Sequence, residues 1–269
     1  EKFCWTNIRL PTNLIPRSYE VIIYPNLPKF YFRGSSKTRV FVRRCTNSIV
    51  MHVKGLKISR VDVRYKDRNG LLEKEPIISF LLHKFSDLEQ LQIELCNFLR
   101  PNSTVIIEIS FRGVLRNDNF GFYSSSYTTG DNVVRYLAAT HFQPTEARSA
   151  IPCFDEPPMK ATFKFYIIRP NDYISLFNTE KVAERAVSSS ETMDIFNTSV
   201  QMSTYLLAFV VCDFQSKSQM SMSGVNISVY SQPSTINDVN FALESITKLM
   251  DFFEGFYGVR YPLKKLGGC

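Results

Sequence analysis

The chain has 269 residues, 44% hydrophobic and 13% aromatic, with 22 Phe and 13 Tyr, which is enough apolar mass for a proper core and too much for a disordered segment. A formal charge of +7, from 32 Lys and Arg against 25 Asp and Glu, is concentrated before Lys74, where Arg39-Val40-Phe41-Val42-Arg43 alternates as a strand with one wet and one buried face. That predicts a solvated outer sheet face and, lacking aromatics interleaved on the exposed side, no nucleic-acid partner.

An extended lead-in, punctuated by Pro11 and Pro16, gives way to short strands predicted over 19–24, 37–44, 48–53, 59–65, 77–82, 88–95 and 104–111. Turn signals at 67–70 and 100–103 separate some of them. Residues 121–123 read as turn and packing residues. Further strands are expected over 136–142, 162–169, 173–178, 182–188, 193–200, 205–212 and 225–231. The spacing predicts a mainly β fold, a saddle-like antiparallel β-sandwich, rather than β-α-β units. After Gln232-Pro233 the period changes. Ser234 or Thr235 can cap a helix in which Phe241, Leu243, Ile246, Leu249, Met250, Phe253 and Phe256 recur at helical spacing, ending before Gly258. This places a division near Gln232, with a β domain over 1–232 and one helix of a second domain over 233–269.

The longest clean apolar run, 205–211, is far short of the roughly 20 residues a bilayer span needs. The chain opens at Glu1 without an initiator Met, so a removed signal or anchor is compatible with it. Sequons at Asn102, Asn197 and Asn226 point to glycosylation and to an extracellular or luminal setting. Six cysteines lack any C-x-x-C spacing, which disfavours a structural zinc site. Cys153 and Cys212 lie in apolar settings that suit free thiols, while Cys4, Cys45, Cys96 and Cys269 are candidates for pairing.

The chain is organised around residues 136–163, YLAATHFQPTEARSAIPCFDEPPMKATF. Four prolines (Pro144, Pro152, Pro157, Pro158) forbid regular structure between the two strands, while Ile151, Phe154 and Met159 mixed with Glu146, Arg148, Asp155, Glu156 and Lys160 predict a partly buried loop held by ion pairs. This stretch resembles the gluzincin zinc aminopeptidases, the aminopeptidase N group, whose pattern reads T-Q-F/M-E/Q-P-T-D-A-R-x-x-F-P-C-F-D-E-P-x-M-K-A-x-F. GFYSSSY at 121–127, MSTYLLAFVVCDF at 202–214 and YPLKKL at 261–266 extend the resemblance. It implies the family's N-terminal domain, with a catalytic domain beginning at the helix and, beyond it, a G-A-M-E-N strand and an H-E-x-x-H helix.

No such zinc motif occurs in this chain. His52, His83 and His141 are scattered, so zinc is expected only if a catalytic domain follows Gly267-Gly268-Cys269. No G-x-S-x-G elbow is present, Cys153 has no neighbouring His in sequence, and adjacent Asp155 and Glu156 read as turn carboxylates for Arg148, Lys160 or loop amides. Ser203, Thr204 and Tyr205 read as residues at a strand start whose hydroxyls tie down backbone. The resemblance implies that His141 and Gln143, two apart on one strand face, help hold a substrate's free α-ammonium group. Gln143 offers an amide oxygen. His141 stands where the family has Gln, and its alternative role is a strand histidine satisfied by a neighbouring loop. The expected function is substrate positioning in a zinc metallo-aminopeptidase, non-catalytic in these residues alone; the alternative is a catalytically dead binding or regulatory protein. Expected partners are peptide N-termini and, through the apolar face from Phe241 to Phe256, a homodimer mate or another protein.

Overall fold

The computed structural model describes residues 5, 7–66, 72–75, 77–82 and 88–269. Alternation builds its main sheet. In β1 (Leu14–Asn26), Tyr19, Val21 and Ile23 are buried while Glu20 and Ile22 face outward. β2 (Tyr31–Val42) repeats the pattern with Phe32, Val40 and Val42 inside. The chain then forms β3 (Thr46–His52), β4 (Lys57–Lys66), β5 (Leu72–Glu75), β6 (Ile77–Leu82), β7 (Gln90–Leu99) and β8 (Ser103–Val114). β9 (Gly121–Thr128) and β10 (Val134–His141) lead to the central loop, and β11 (Thr162–Pro170) leaves it. Beyond lie β12 (Ile174–Phe177), β13 (Lys181–Ala186), β14 (Glu191–Phe196), β15 (Phe209–Cys212), β16 (Gln215–Met220), β17 (Asn226–Ser231), α1 (Asn240–Tyr257) and β18 (Lys265–Gly268).

Eight strands form one sheet in the order β13-β14-β11-β1-β2-β8-β4-β5, and two smaller sheets, β12-β15-β10-β9 and β3-β7-β6, join it around a single core. The sheets are antiparallel except for two pairings. β1 runs parallel to β11, with Ser18 opposite Thr162 and Ile23 opposite Ile167, and β17 runs parallel to β18.

Aromatic rings knit the layers. Phe32 meets Phe122 at 5.0 Å between centroids, Phe122 meets Phe209 at 4.8 Å, and Phe209 meets Phe165 at 5.3 Å. Phe165 stacks on Phe177 at 4.5 Å, and Phe177 meets Phe196 at 5.6 Å. Each such pair adds about 0.5–1.5 kcal/mol beyond the area it buries. Two cross-strand glycines make room for the rings. Phe32 lies over Gly113 and Phe111 over Gly34, so that a Cβ on Gly113 would stand 2.4 Å from the Phe32 ring.

The mainly β class and the C-terminal helix agree with the sequence reading. Local differences have local causes. Residues 121–128 form a strand because backbone pairing with β10 runs from Gly121–His141 to Thr128–Val134. β16 and β18 were not expected: QSKSQM has no apolar alternation, and KLGG is too short to show one. The strand expected over 205–212 begins only at Phe209, because residues 204–206 close a 3₁₀ turn. The helix starts at Asn240, after a 3₁₀ turn over Pro233–Val239. The turn at 67–70, His83 and Cys4 lie outside the described residues.

α1 packs on β16 and β17 around a second small core of Val225, Ile227, Val229 and Leu243. Its other face is open: Phe241 is 82% exposed, and Phe252, Phe253, Phe256 and Tyr257 stack on one another in solvent. No helix among the described residues is long and apolar enough to cross a membrane.

Candidate functional site

The site is the central loop and the end of β10 that feeds it. Phe142 is the anchor, fully buried with its ring 5.9 Å from Phe209. Its neighbours His141 and Gln143 are exposed; β10 ends at His141, so Gln143 stands in the turn beyond it rather than on the expected strand face, and the Gln143–Pro144 bond is cis. The ring of His141 stacks on Phe120 at 5.4 Å, and its Nδ1 lies 3.3 Å from the carbonyl oxygen of Asn119. A carbonyl only accepts, so Nδ1 is the donor in this contact, and in the neutral ring Nε2 is the acceptor that remains. Gln143 makes no side-chain hydrogen bond among the described residues.

The loop beneath them is fixed by charge. Glu146 accepts from Lys54 Nζ at 2.8 Å and from Arg116 at 2.9 Å. Lys54 also reaches Glu89 at 3.0 Å. Although burial works against its charge, hydrogen bonds to Glu146 and Glu89 hold the Lys54 ammonium above its usual range. Arg148 is buried. Its Nε donates to Asp155 Oδ2 at 3.0 Å and its NH1 to Glu89 at 3.2 Å. Asp155 also accepts from the Thr204 hydroxyl. Glu156 accepts from Arg9 at 2.5 Å and from the amide of Leu10 at 3.2 Å, which ties the N-terminal segment to the loop. The expected ion-paired loop is present. Asp155 takes Arg148, but Lys160 is exposed and the partner of Glu156 is Arg9.

Backbone pairing finishes the clamp. Cys153 and His52 exchange hydrogen bonds at 2.8 and 3.2 Å, Lys54 N donates to Arg148 O at 2.9 Å, and Ser203 Oγ donates to Pro157 O at 2.7 Å. Burial, reinforced by the Asp155 carboxylate, pushes the Cys153 thiol far up, so it is an inert packing group. Burial and the nearby Arg148 guanidinium push His52 down to about 3. Cys45, Cys96 and Cys269 are free and exposed.

Zinc does not fit the histidines described here. His52 is buried beside arginines, a setting that opposes a dication, and His141 has one free nitrogen and no second donor beside it. No group of three or more His, Cys, Asp or Glu able to hold a metal occurs among the described residues.

Residues 15–206 match the Peptidase M1 N-terminal domain family. The chain belongs to the M1 peptidase family. The M1 domain described here is 40% identical over 272 residues to endoplasmic reticulum aminopeptidase 2 of Bos taurus, 37% over 263 residues to endoplasmic reticulum aminopeptidase 1 of Rattus norvegicus, and 34% over 270 residues to aminopeptidase N of Oryctolagus cuniculus. These alignments cover 99%, 98% and 97% of this chain but 28% of each relative. Within the M1 domain, the residues that sequence reasoning missed are Lys54, Glu89, Arg116, Asn119 and Phe120. They lie in three connections, between β3 and β4, just before β7, and between β8 and β9, and nothing in their spacing announces that these segments meet. All three sequon asparagines are exposed; Asn102 sits at φ +61° in the turn between β7 and β8, and Asn197 donates to Glu180 at 2.8 Å.

Proposed function

We propose that this chain positions peptide N-termini for a zinc metallo-aminopeptidase, and that the zinc and the hydrolytic groups belong to the rest of that protein. The observation that carries the reading is the pairing of two exposed acceptors, His141 Nε2 and the Gln143 amide oxygen, on either side of the buried Phe142. An exopeptidase must reward a free α-ammonium group, and oxygen or nitrogen lone pairs held on a rigid loop do so. The division near Gln232 is part of the same proposal. So is the covering of the aromatic face of α1 by the following domain, a second copy or a partner protein. The relatives' names and the three sequons support a luminal or extracellular setting.

A second reading, a binding protein without peptidase activity, is favoured by one observation: His141 already spends one nitrogen and one ring face on Asn119 and Phe120. The test is kinetic. In the complete protein, Gln143→Ala lowers kcat/KM for aminoacyl substrates by about tenfold or more, the loss expected when about 1.4 kcal/mol of transition-state contact goes. An unchanged kcat/KM removes Gln143 from the site, and a complete protein that neither contains zinc nor cleaves aminoacyl substrates decides for the second reading.

A further inference from the structure

The outer face of the eight-stranded sheet carries two cross-strand rows of charge that obey opposite rules. In one row Lys164, Glu20, Lys37 and Glu108 lie side by side across β11, β1, β2 and β8, alternating in sign. On β4 the row ends with Asp62 opposite Glu108, two carboxylates that pair instead with Arg60 and Arg64 of β4. Four residues along β2 on the same face, Arg33 stands opposite Arg112, and Arg112 opposite Lys57. That row is three cations on adjacent strands, about 4.8 Å from one strand to the next. All three are exposed, and none has a carboxylate partner among the described residues.

Like charges directly opposite one another destabilise a sheet. The first row shows that this face can alternate signs, so the second is a departure from what stability alone favours. The two guanidinium groups are held in place by stacking, Arg33 over the Tyr24 ring at 4.3 Å and Arg112 over the Tyr31 ring at 4.0 Å. Stacking restrains each guanidinium while its N–H fork keeps no carboxylate among the described residues, and a free planar fork is the group that takes a two-oxygen anion.

We propose that Arg33, Arg112 and Lys57 form a docking line for a sulfated polysaccharide. The line is about 10 Å long and one side chain wide, which suits a linear polyanion better than a plane of lipid headgroups. A single-stranded nucleic acid would need free aromatic faces for its bases, and the rings beside the line are already covered by arginines. The sulfates sit in the guanidinium forks and on the Lys57 ammonium, with release of the polymer's counterions as the driving term. The assignment does not rest on the peptidase reading.

The test is affinity for heparin as a function of salt, using the whole chain. A variant carrying Arg33→Ser, Arg112→Ser and Lys57→Ser is compared with a charge-matched control carrying Arg39→Ser, Arg43→Ser and Arg44→Ser. The site variant loses at least tenfold in affinity, and its slope of log K against log salt falls by about three, one for each cation removed. The control keeps its affinity within about threefold. Equal losses in both variants mean that net charge alone binds heparin, and overturn the site. Tighter binding to phosphatidylserine vesicles or to DNA than to heparin at matched salt overturns the choice of ligand.

Discussion

The hydroxyl of Tyr19 accepts a hydrogen bond of 3.0 Å from the backbone amide of Phe154, 135 residues away. The same ring stacks on Phe163 at 4.8 Å with an interplanar angle of 8°. One side chain thus joins β1, the central loop and β11. Tyr19→Phe keeps the stack and leaves the Phe154 amide buried without an acceptor, at a cost of about 1–3 kcal/mol. Urea unfolding of the two proteins measures it; a difference below about 0.5 kcal/mol would show that the loop amide finds another partner.

Arg148 and Asp155 form the buried pair beneath the loop. Arg148→Met removes the cation and leaves Asp155 with only the Thr204 hydroxyl among its side-chain partners, which costs about 3–5 kcal/mol. The double variant Arg148→Met/Asp155→Leu recovers much of that loss, because no buried charge is then stranded. A double-mutant cycle decides, and strictly additive losses would refute the pairing argument.

His52 supplies a pH dependence whose direction is fixed. Its folded pKa is lowered to about 3, from an unfolded value near 6.5. Above pH 6.5 both states are neutral and the full stability is present. As pH falls from about 6.5 toward 3, the unfolded chain takes up a proton that the folded chain refuses. Stability therefore falls, by about 1.4 kcal/mol at pH 5.5 for this one group. His52→Gln should flatten the denaturation midpoint between pH 7.5 and 5.5, and an unaltered slope would show that His52 is not the group titrating.

Gly113 has no room for a methyl group: the Phe32 ring lies 2.4 Å from where its Cβ would stand, and Leu56 lies at 2.8 Å. Gly113→Ala is expected to lower stability by about 1–3 kcal/mol through overpacking. Exposed Gly130, with open space around it, serves as the control and should tolerate alanine with little change in Tm.

Among the strands legible in the sequence, β1, β2, β8 and β11 have one wet and one dry face, and burial on one side writes a two-residue period into the text. β9 escaped because Ser124, Ser125 and Ser126 give GFYSSSYT no such period; its pairing with β10 is a backbone matter. Tyr205 looked like strand because apolar residues follow it, yet Ser203 and Thr204 spend their hydroxyls on the central loop and turn the chain there. At the site, the exposure of His141 and Gln143 on either side of the buried Phe142 was legible as alternation, but the end of β10 at His141, which puts Gln143 in a turn, was not. Nor was the clamp, since Lys54 lies 92 residues from Glu146 and Arg116 lies 30 from it. Pairings of that range leave no periodic trace. Asp155 could be matched to Arg148 because only seven residues separate them.

The parallel pairing of β1 with β11 joins Ser18 to Thr162, and their separation of 144 positions sets a timetable. At about 5–20 residues per second of synthesis, β11 leaves the ribosome roughly 7–30 s after β1. The hairpin of β1 and β2 and its neighbour β8 are available earlier, so one edge of β1 stays open during that interval. A nascent chain with an open β1 edge is a target for holding chaperones and for mispairing with a second chain, and the hazard ends only when the central loop has been made and β11 arrives.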